Sequence, residues 1–310
     1  MKIGFAGAGA IACHYGSLLQ LAGNKILYLA RGPHLRAMQK DGLLHVSGGG
    51  SRKLSVQADD QPSILEEAEI IILSCKLNDL ESLLSEVCSI IRQDTLVLTL
   101  QNGVEAPNIV SDILPGHAIA AGSAFIGARI DPPGTIIHSA AGGIRLGLWR
   151  PGSGGEKISV LVQALSDAGI PAREEKDVKR MLWRKLLWNC GFNAITAITR
   201  LYARDIAANK ETLAIVRDAM REVVSVANRI DIAIGEEEIR KHIRTTLEMG
   251  PVKTSMWQDI EHGKLTEVDF INGLVVREAK AHRLDAPVNR MLTTLVHAVE
   301  HTQIDPKQQL

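Results

Sequence analysis

The sequence predicts an α/β chain in two parts, an N-terminal doubly wound parallel sheet followed by an all-helical C-terminal domain. Three observations carry this. Residues 1–174 alternate short β-rich runs with helical patterns, as a parallel sheet covered by helices does. The runs at 70–74 and 96–100 are almost continuously apolar, as strands buried on both faces must be. From about Asp177 onward the apolar spacing turns helical and stays so.

Taken in order, an apolar run at 3–6 feeds into Gly7-x-Gly9-x-x-Ala12, which opens a helical pattern rich in small residues. That spacing is the fingerprint of a dinucleotide-binding βαβ unit, here with alanine third. Gly7 permits the tight turn, and Gly9, without a Cβ, lets backbone approach a pyrophosphate at the positive end of the helix. Gly7, Ala8, Gly9, Ala10, Ile11 and Ala12 are therefore the expected cofactor cradle of a Rossmann-type sheet. Lys2 with an apolar stretch also suits a secretory leader, but a leader has no need of the glycine spacing. A second strand is expected at 26–29, running into Ala30-Arg31-Gly32. A carboxylate at this place would accept hydrogen bonds from a free ribose hydroxyl and select NAD. Arg31, with Arg36 one turn on, instead offers a guanidinium to a 2′-phosphate, which indicates NADPH/NADP+. A solvated surface arginine is the competing reading.

Runs at 43–46 and 54–56 flank Ser47-Gly48-Gly49-Gly50 and suggest a hairpin inserted in the sheet. Further strands are expected near 118–124 and 135–138, with 144–148 following. Residues 151–155 have the composition of a loop, and Pro171 lies in another short strand. The division then falls at 174/175, giving an NADP-binding domain at 1–174 and a helical substrate-binding domain at 175–310. Helical patterns cover 178–202, 208–230, 236–247, 252–262, 266–283 and 287–303. In this architecture a substrate pocket is expected in the cleft beyond the carboxyl ends of the strands.

The 310 residues carry a formal net charge of zero, which gives no electrostatic reason to expect nucleic acid or a membrane surface as partner. Cys13, Cys75, Cys88 and Cys190 lie far apart without CxxC pairing, as reduced thiols of a cytoplasmic protein do. No run approaches the length of a membrane span, and the ten histidines show no metal-ligand spacing. A largely helical second domain offers surfaces for a homodimer.

Strand ends should supply cofactor contacts, which singles out Lys76 in Ser74-Cys75-Lys76 and Asn102 in Gln101-Asn102-Gly103. An asparagine there can hold a ribose hydroxyl or the nicotinamide side, although Asn-Gly also serves as a plain turn. Lys185, Asn189 and Asn193 follow at i, i+4, i+8 and drift only about 80° around a helix, so they form one stripe. Buried unpaired, such a stripe is costly. Facing an oxygen-rich anion it is useful, the lysine donating a proton to a reacting carbonyl oxygen and the amides orienting it. A polar face bonded to a neighbouring element is the alternative. A second group contains Ser255, near a helix start favoured by Pro251, and Glu267, where Thr266 with Asp269 suits a helix cap. Glu267 can also serve the helix dipole alone.

The combination of GAGAIA, Arg31, Cys75-Lys76, Gln101-Asn102-Gly103, Trp183-Arg184-Lys185-x-x-x-Asn189-x-x-x-Asn193, Ser255-Met256-x-x-Asp259 and Thr266-Glu267-Val268-Asp269-x-Ile271-Asn272-Gly273 resembles the ketopantoate reductases (2-dehydropantoate 2-reductases) over nearly the whole chain. The resemblance implies NADPH-dependent reduction of a small 2-keto acid in pantothenate (coenzyme A) synthesis. It makes Lys185 the proton donor, Asn189, Asn193, Ser255 and Asn102 substrate contacts, and Glu267 a catalytic neighbour of substrate and nicotinamide. Gly7 to Ala12, Arg31, Lys76, Asn102, Gly127 and Ala128 match cofactor positions. Three positions depart from the family pattern. Ala203 and Val252 stand where some members carry polar residues, and the basic residue before the Thr-Glu motif is shifted to Lys264. These departures leave the hydride chemistry in place and remove candidate contacts to the distal end of pantoate. A reductase of a different 2-keto acid, a 3-hydroxyacid dehydrogenase and a non-catalytic NADPH-binding sensor are the other readings.

Overall fold

The structure is a computed structural model and describes residues 1–304. The described chain forms two compact units, residues 1–101 with 105–178, and residues 102–104 with those from 179 onward.

The first unit contains β1 (Lys2–Ala6), α1 (Ala10–Leu21), β2 (Lys25–Leu29), α2 (Gly32–Asp41), β3 (Leu43–Ser47), β4 (Gly50–Leu54), β5 (Gln57–Asp59), β6 (Ile70–Leu73), α3 (Leu80–Val87), β7 (Leu96–Thr99), α4 (Ala106–Ile113), β8 (Ile119–Ile130), β9 (Thr135–Arg150), α5 (Lys157–Asp167) and β10 (Ala172–Glu174). They make one ten-stranded sheet in the order β4-β3-β9-β8-β7-β6-β1-β2-β5, with β10 beside β9. β1 pairs in parallel with β2 on one side and β6 on the other, so the winding reverses at β1. That reversal is the switch point at which doubly wound sheets bind ligands. All four residues of β6 and of β7 are buried, as their apolar runs require.

Two expectations change here. The hairpin is β3–β4, closed by Gly48-Gly49 with Ser47 opposite Gly50, so its second arm is 50–54 and not 54–56. It also lies at the sheet's edge, with β4 the terminal strand, rather than within the sheet. The expected strands at 135–138 and 144–148 are a single strand, β9, antiparallel to β8. Ala141 and Gly142, both at positive φ, form an irregularity inside the ladder rather than a break.

The second unit contains α6 (Val178–Thr199), α7 (Ala203–Ala208), α8 (Lys210–Arg229), α9 (Glu236–Glu248), α10 (Ser255–Glu261), α11 (Asn272–Ala281) and α12 (Pro287–Ile304). α6 is buried around most of its circumference, with Leu182, Leu186, Leu187, Cys190, Phe192 and Ala194 in the core. A helix apolar on every side lies inside its domain, so any polar stripe on it is inside as well. The expected helix at 208–230 begins at Lys210, because Asn209 Oδ1 accepts from the Glu211 and Thr212 amides. The one expected from 252 starts at Ser255, since Thr254 rather than Pro251 sets its first turn. Thr266 does not cap a long helix. Its hydroxyl accepts from the Val268 amide, a short 3-10 turn spans Val268–Phe270, and α11 starts afresh at Asn272.

Candidate active site

In the first unit the glycine turn is built against the end of β6. Gly7 has φ +95°, and a Cβ there would lie 2.8 Å from the Cys75 amide nitrogen, so glycine is required twice over. The Gly7 and Ala8 amides both donate to Leu29 O at 3.2 Å, and the Ser74 hydroxyl donates to Gly7 O at 2.8 Å. α1 then starts at Ala10 with no side-chain cap and no acidic residue in its first turn. Its orphan amides and positive end face outward, the arrangement a pyrophosphate needs. A Cβ on Gly9 would meet nothing closer than Ser74 O at 3.8 Å, so the open space above it is not used by the protein's own packing. The residues present fit a dinucleotide.

Arg31 ends the loop after β2 in extended conformation, its side chain 60% exposed and ion-paired with Glu86 of α3. Arg36 is exposed one turn later. Lys76 is half-buried just past β6, beside Cys75, whose sulfur takes a long contact from Gln101 Nε2 at 3.7 Å. Gly127 and Ala128 stand apart from these. β7 pairs with β8 only as far as Thr99 opposite Ala121, which leaves Gly127 about 20 Å further along its strand.

In the second unit Lys185, Asn189 and Asn193 lie along α6, with Asn189 and Asn193 each no more than 3% exposed. Asn189 Nδ2 and Asn193 Oδ1 are buried without a hydrogen-bond partner among the described residues. Burial pushes the half-buried Lys185 ammonium down to about 8, the charge of Glu267 opposing part of that shift. Glu267 is itself 8% exposed and accepts from Asn102 Nδ2 at 2.8 Å. Lysine, carboxylate and the asparagine from the 102–104 segment thus form one electrostatic group. Ser255 is the exposed first residue of α10.

Two threonines that motif reading passed over join these parts. Thr196 Oγ1 lies 2.7 Å from Thr254 Oγ1 and donates to Asn193 O at 3.0 Å, so the residue before Ser255 is tied to α6 one turn past Asn193. Thr196 is only about 20° off the Lys185 direction on a helical wheel, and that position was the available signal. Asn272 plays a supporting part. Its Nδ2 donates to Cys190 O at 3.0 Å and to Asn289 Oδ1 at 2.9 Å, clamping α6 beside Asn189. Asp269 pairs with His297 at 3.1 Å and not with a helix start.

Among the described residues no group of three or more His, Cys, Asp or Glu is placed to hold a metal ion, and no helix is long and apolar enough to cross a membrane.

The sequence matches the family described as "Ketopantoate reductase PanE/ApbA" over residues 3–151 and its C-terminal counterpart over residues 177–300. It is 31% identical over 300 residues to a 2-dehydropantoate 2-reductase of Archaeoglobus fulgidus, covering 96% of this chain and 98% of that one. The crystal structure of a PanE/ApbA family ketopantoate reductase from Ralstonia eutropha JMP134 superposes with a TM-score of 0.90 at 30% identity, over 98% of this chain and all of that one. A ternary structure of D-mandelate dehydrogenase with NADH and anilino(oxo)acetate superposes with a TM-score of 0.91 at 27% identity, over 98% and 99% of the two chains. With both halves of the sequence and the whole fold matching, this chain belongs to the ketopantoate reductase PanE/ApbA family.

Proposed function

We propose that the chain reduces 2-dehydropantoate to pantoate with NADPH, a reaction of pantothenate synthesis, Lys185 giving the proton. The observation that carries this is the buried stripe on α6. Asn189 Nδ2 and Asn193 Oδ1 are held unpartnered beside a lysine whose ammonium is pushed down to about 8. An unmade buried hydrogen bond costs about 1–3 kcal/mol, a burden explained by a ligand that completes the bonds.

A nicotinamide, when bound, would supply the hydride that the keto carbon takes up. Lys185 Nζ hydrogen-bonds the ketone oxygen and transfers its proton there as negative charge develops, leaving a neutral amine that water reprotonates. Glu267 opposes the loss of charge from Lys185 in the resting enzyme, and its contact with Asn102 fixes its orientation. The Ser255 hydroxyl donates to the substrate carboxylate, while Asn189 and Asn193 take a distal hydroxyl. In the first unit the amides that open α1 would hold the pyrophosphate, and Arg31 and Lys76 the remaining phosphate charge, while Gly127 and Ala128 are carried as cofactor positions by the family resemblance alone.

Two observations favour a second reading. Ala203 and Val252 take away polar contacts, and the fold is as close to a D-mandelate dehydrogenase as to ketopantoate reductases. A bulkier 2-keto acid without a distal hydroxyl is then the substrate of the same machinery. kcat/KM for 2-dehydropantoate against pyruvate, 2-ketoisovalerate and phenylglyoxylate separates them. 2-Dehydropantoate is expected to lead. A hydroxyl-free acid ahead by tenfold, about 1.4 kcal/mol, would keep the reductase and discard pantoate as its product.

A further inference from the structure

The sheet face beneath the middle of α1 carries a cavity of about 500 Å³ in which the cofactor cradle has no part. His14 of α1, His45 and Ser47 of β3, Ser51 and Arg52 of β4 and His138 of β9 contribute its polar wall. The register explains the convergence. His45 stands opposite Arg52 in the hairpin, so both side chains leave the sheet on one face. His14 Nδ1 is 3.0 Å from His45 Nε2, and the His14 and His138 rings lie with centroids 4.2 Å apart and planes tilted by 32°. His138 Nδ1 meets Ser47 Oγ at 2.9 Å, and its Nε2 meets the carbonyls of Ala140 and Ala141 at 3.1 and 2.9 Å.

Two features mark the cavity as a place for a ligand. Its lining holds three histidines and an arginine and no carboxylate, so nothing in the wall balances Arg52. At its inner corner stands Gly142 at φ +124°, where a Cβ would lie 3.5 Å from His138 Nε2 and 3.6 Å from His14 Nε2. With no side chain at 142, nothing from that residue covers the Nε2 edge of His14. A metal ion is a poor fit, because His138 spends both nitrogens on protein partners.

We propose that this cavity is a second ligand site, taking the oxyanion head, phosphate or carboxylate, of a small molecule on Arg52, Ser47 and the His14–His45 pair. Binding is coupled to protons. Burial and the repulsion of His138 and His45 hold His14 at about 3, and burial, His138 and Arg52 lower His45. β2, β8 and α5, which also pack on α1, place no residue in the lining, and Tyr15 touches only the edge of His14. An anion offsets the repulsion but not the larger cost of burial, so the proton it draws goes to His45, the less strongly lowered of the two, and affinity rises as pH falls.

The test uses the protein saturated with NADP+, so that the glycine turn is filled. Inorganic phosphate and acetate are titrated by calorimetry, with histidine side-chain NMR, between about pH 5.5 and 7.5. Saturable binding that tightens up to tenfold per pH unit is expected, with the His45 resonances moving toward the protonated form. Phosphate alone binding identifies a phosphate ligand, and acetate alone a carboxylate. Arg52→Ala, on the exposed edge strand, is expected to weaken binding at least tenfold with keto-acid turnover unchanged. His45→Gln should remove the pH dependence. Absence of saturable binding at the acid end, equal binding in Arg52→Ala, or Zn2+ held at these histidines with no response to anions would each overturn the proposal.

Discussion

At the start of α1 the groups proposed to meet a ligand are backbone amides, whereas along α6 they are side chains inside helical packing. The first arrangement needs almost no polar side chain. Gly7 turns the chain, the Leu29 carbonyl and the Ser74 hydroxyl hold the turn, and the helix end supplies the charge. The second arrangement needs burial and leaves polar atoms unpartnered, Nδ2 of Asn189 and Oδ1 of Asn193. A ligand cradle made of backbone adds little strain beyond its glycines, while one made of buried amides weakens the fold that carries it. The two halves should therefore respond differently to substitution.

The largest effect is expected at Lys185. Lys185→Ala should lower kcat about 10²–10⁴-fold, the usual worth of a positioned proton donor, while cofactor affinity stays within a factor of about two. Because Lys185 sits at about 8 in the folded chain, the parent's reduction rate should fall as pH rises through that value, where the donor loses its proton. Oxidation of the hydroxy acid needs the neutral amine and should rise over the same interval. A flat profile in both directions, or parental turnover in the variant, would move the role elsewhere, with Lys76 first to be tried.

How far each half could be read beforehand follows from the same contrast. Gly7 to Ala12 is contiguous, so its spacing alone implied the turn and the helix start that the structure has. Lys185, Asn189 and Asn193 were legible as a stripe because one helix carries them. Their link to Ser255 was not, since it runs through Thr196 and Thr254, 58 residues apart. The cluster of His14, His45 and His138 draws on three elements and left no local pattern. The separation expected between 135–138 and 144–148 is an irregularity at Ala141-Gly142, because small residues suit turns and bulges alike and only the pairing with β8 tells which.

Arg31 gives a smaller effect on the backbone-built side. Its pair with Glu86 is exposed, a class worth about 0–1 kcal/mol, whereas a charge-assisted contact to a 2′-phosphate is worth about 1.5–3. Exchange of partners therefore favours the cofactor. Arg31→Ala should weaken NADPH binding roughly ten- to hundredfold and leave NADH unchanged. Glu86→Gln, which frees the arginine, should tighten NADPH by no more than about fivefold. Equal affinities for NADPH and NADH in the parent would remove Arg31 from the site and fit the NADH seen in the D-mandelate dehydrogenase relative.

The last expected effect bears most directly on the contrast. Asn189 is 3% exposed with Nδ2 unpartnered, and leucine has nearly its shape. Asn189→Leu removes an unmade hydrogen bond of about 1–3 kcal/mol and adds apolar surface to a core already formed by Leu186 and Cys190. Thermal unfolding should shift upward by about 2–4 °C for each kcal/mol gained, in the absence of substrate. The KM for the keto acid should rise tenfold or more, because the amide proposed to meet its distal group is gone. A gain in Tm with a loss of substrate affinity marks Asn189 as kept for the ligand at the expense of the fold. A lower Tm would mean that the amide is satisfied within the protein, and the difference between the two halves would disappear at this position.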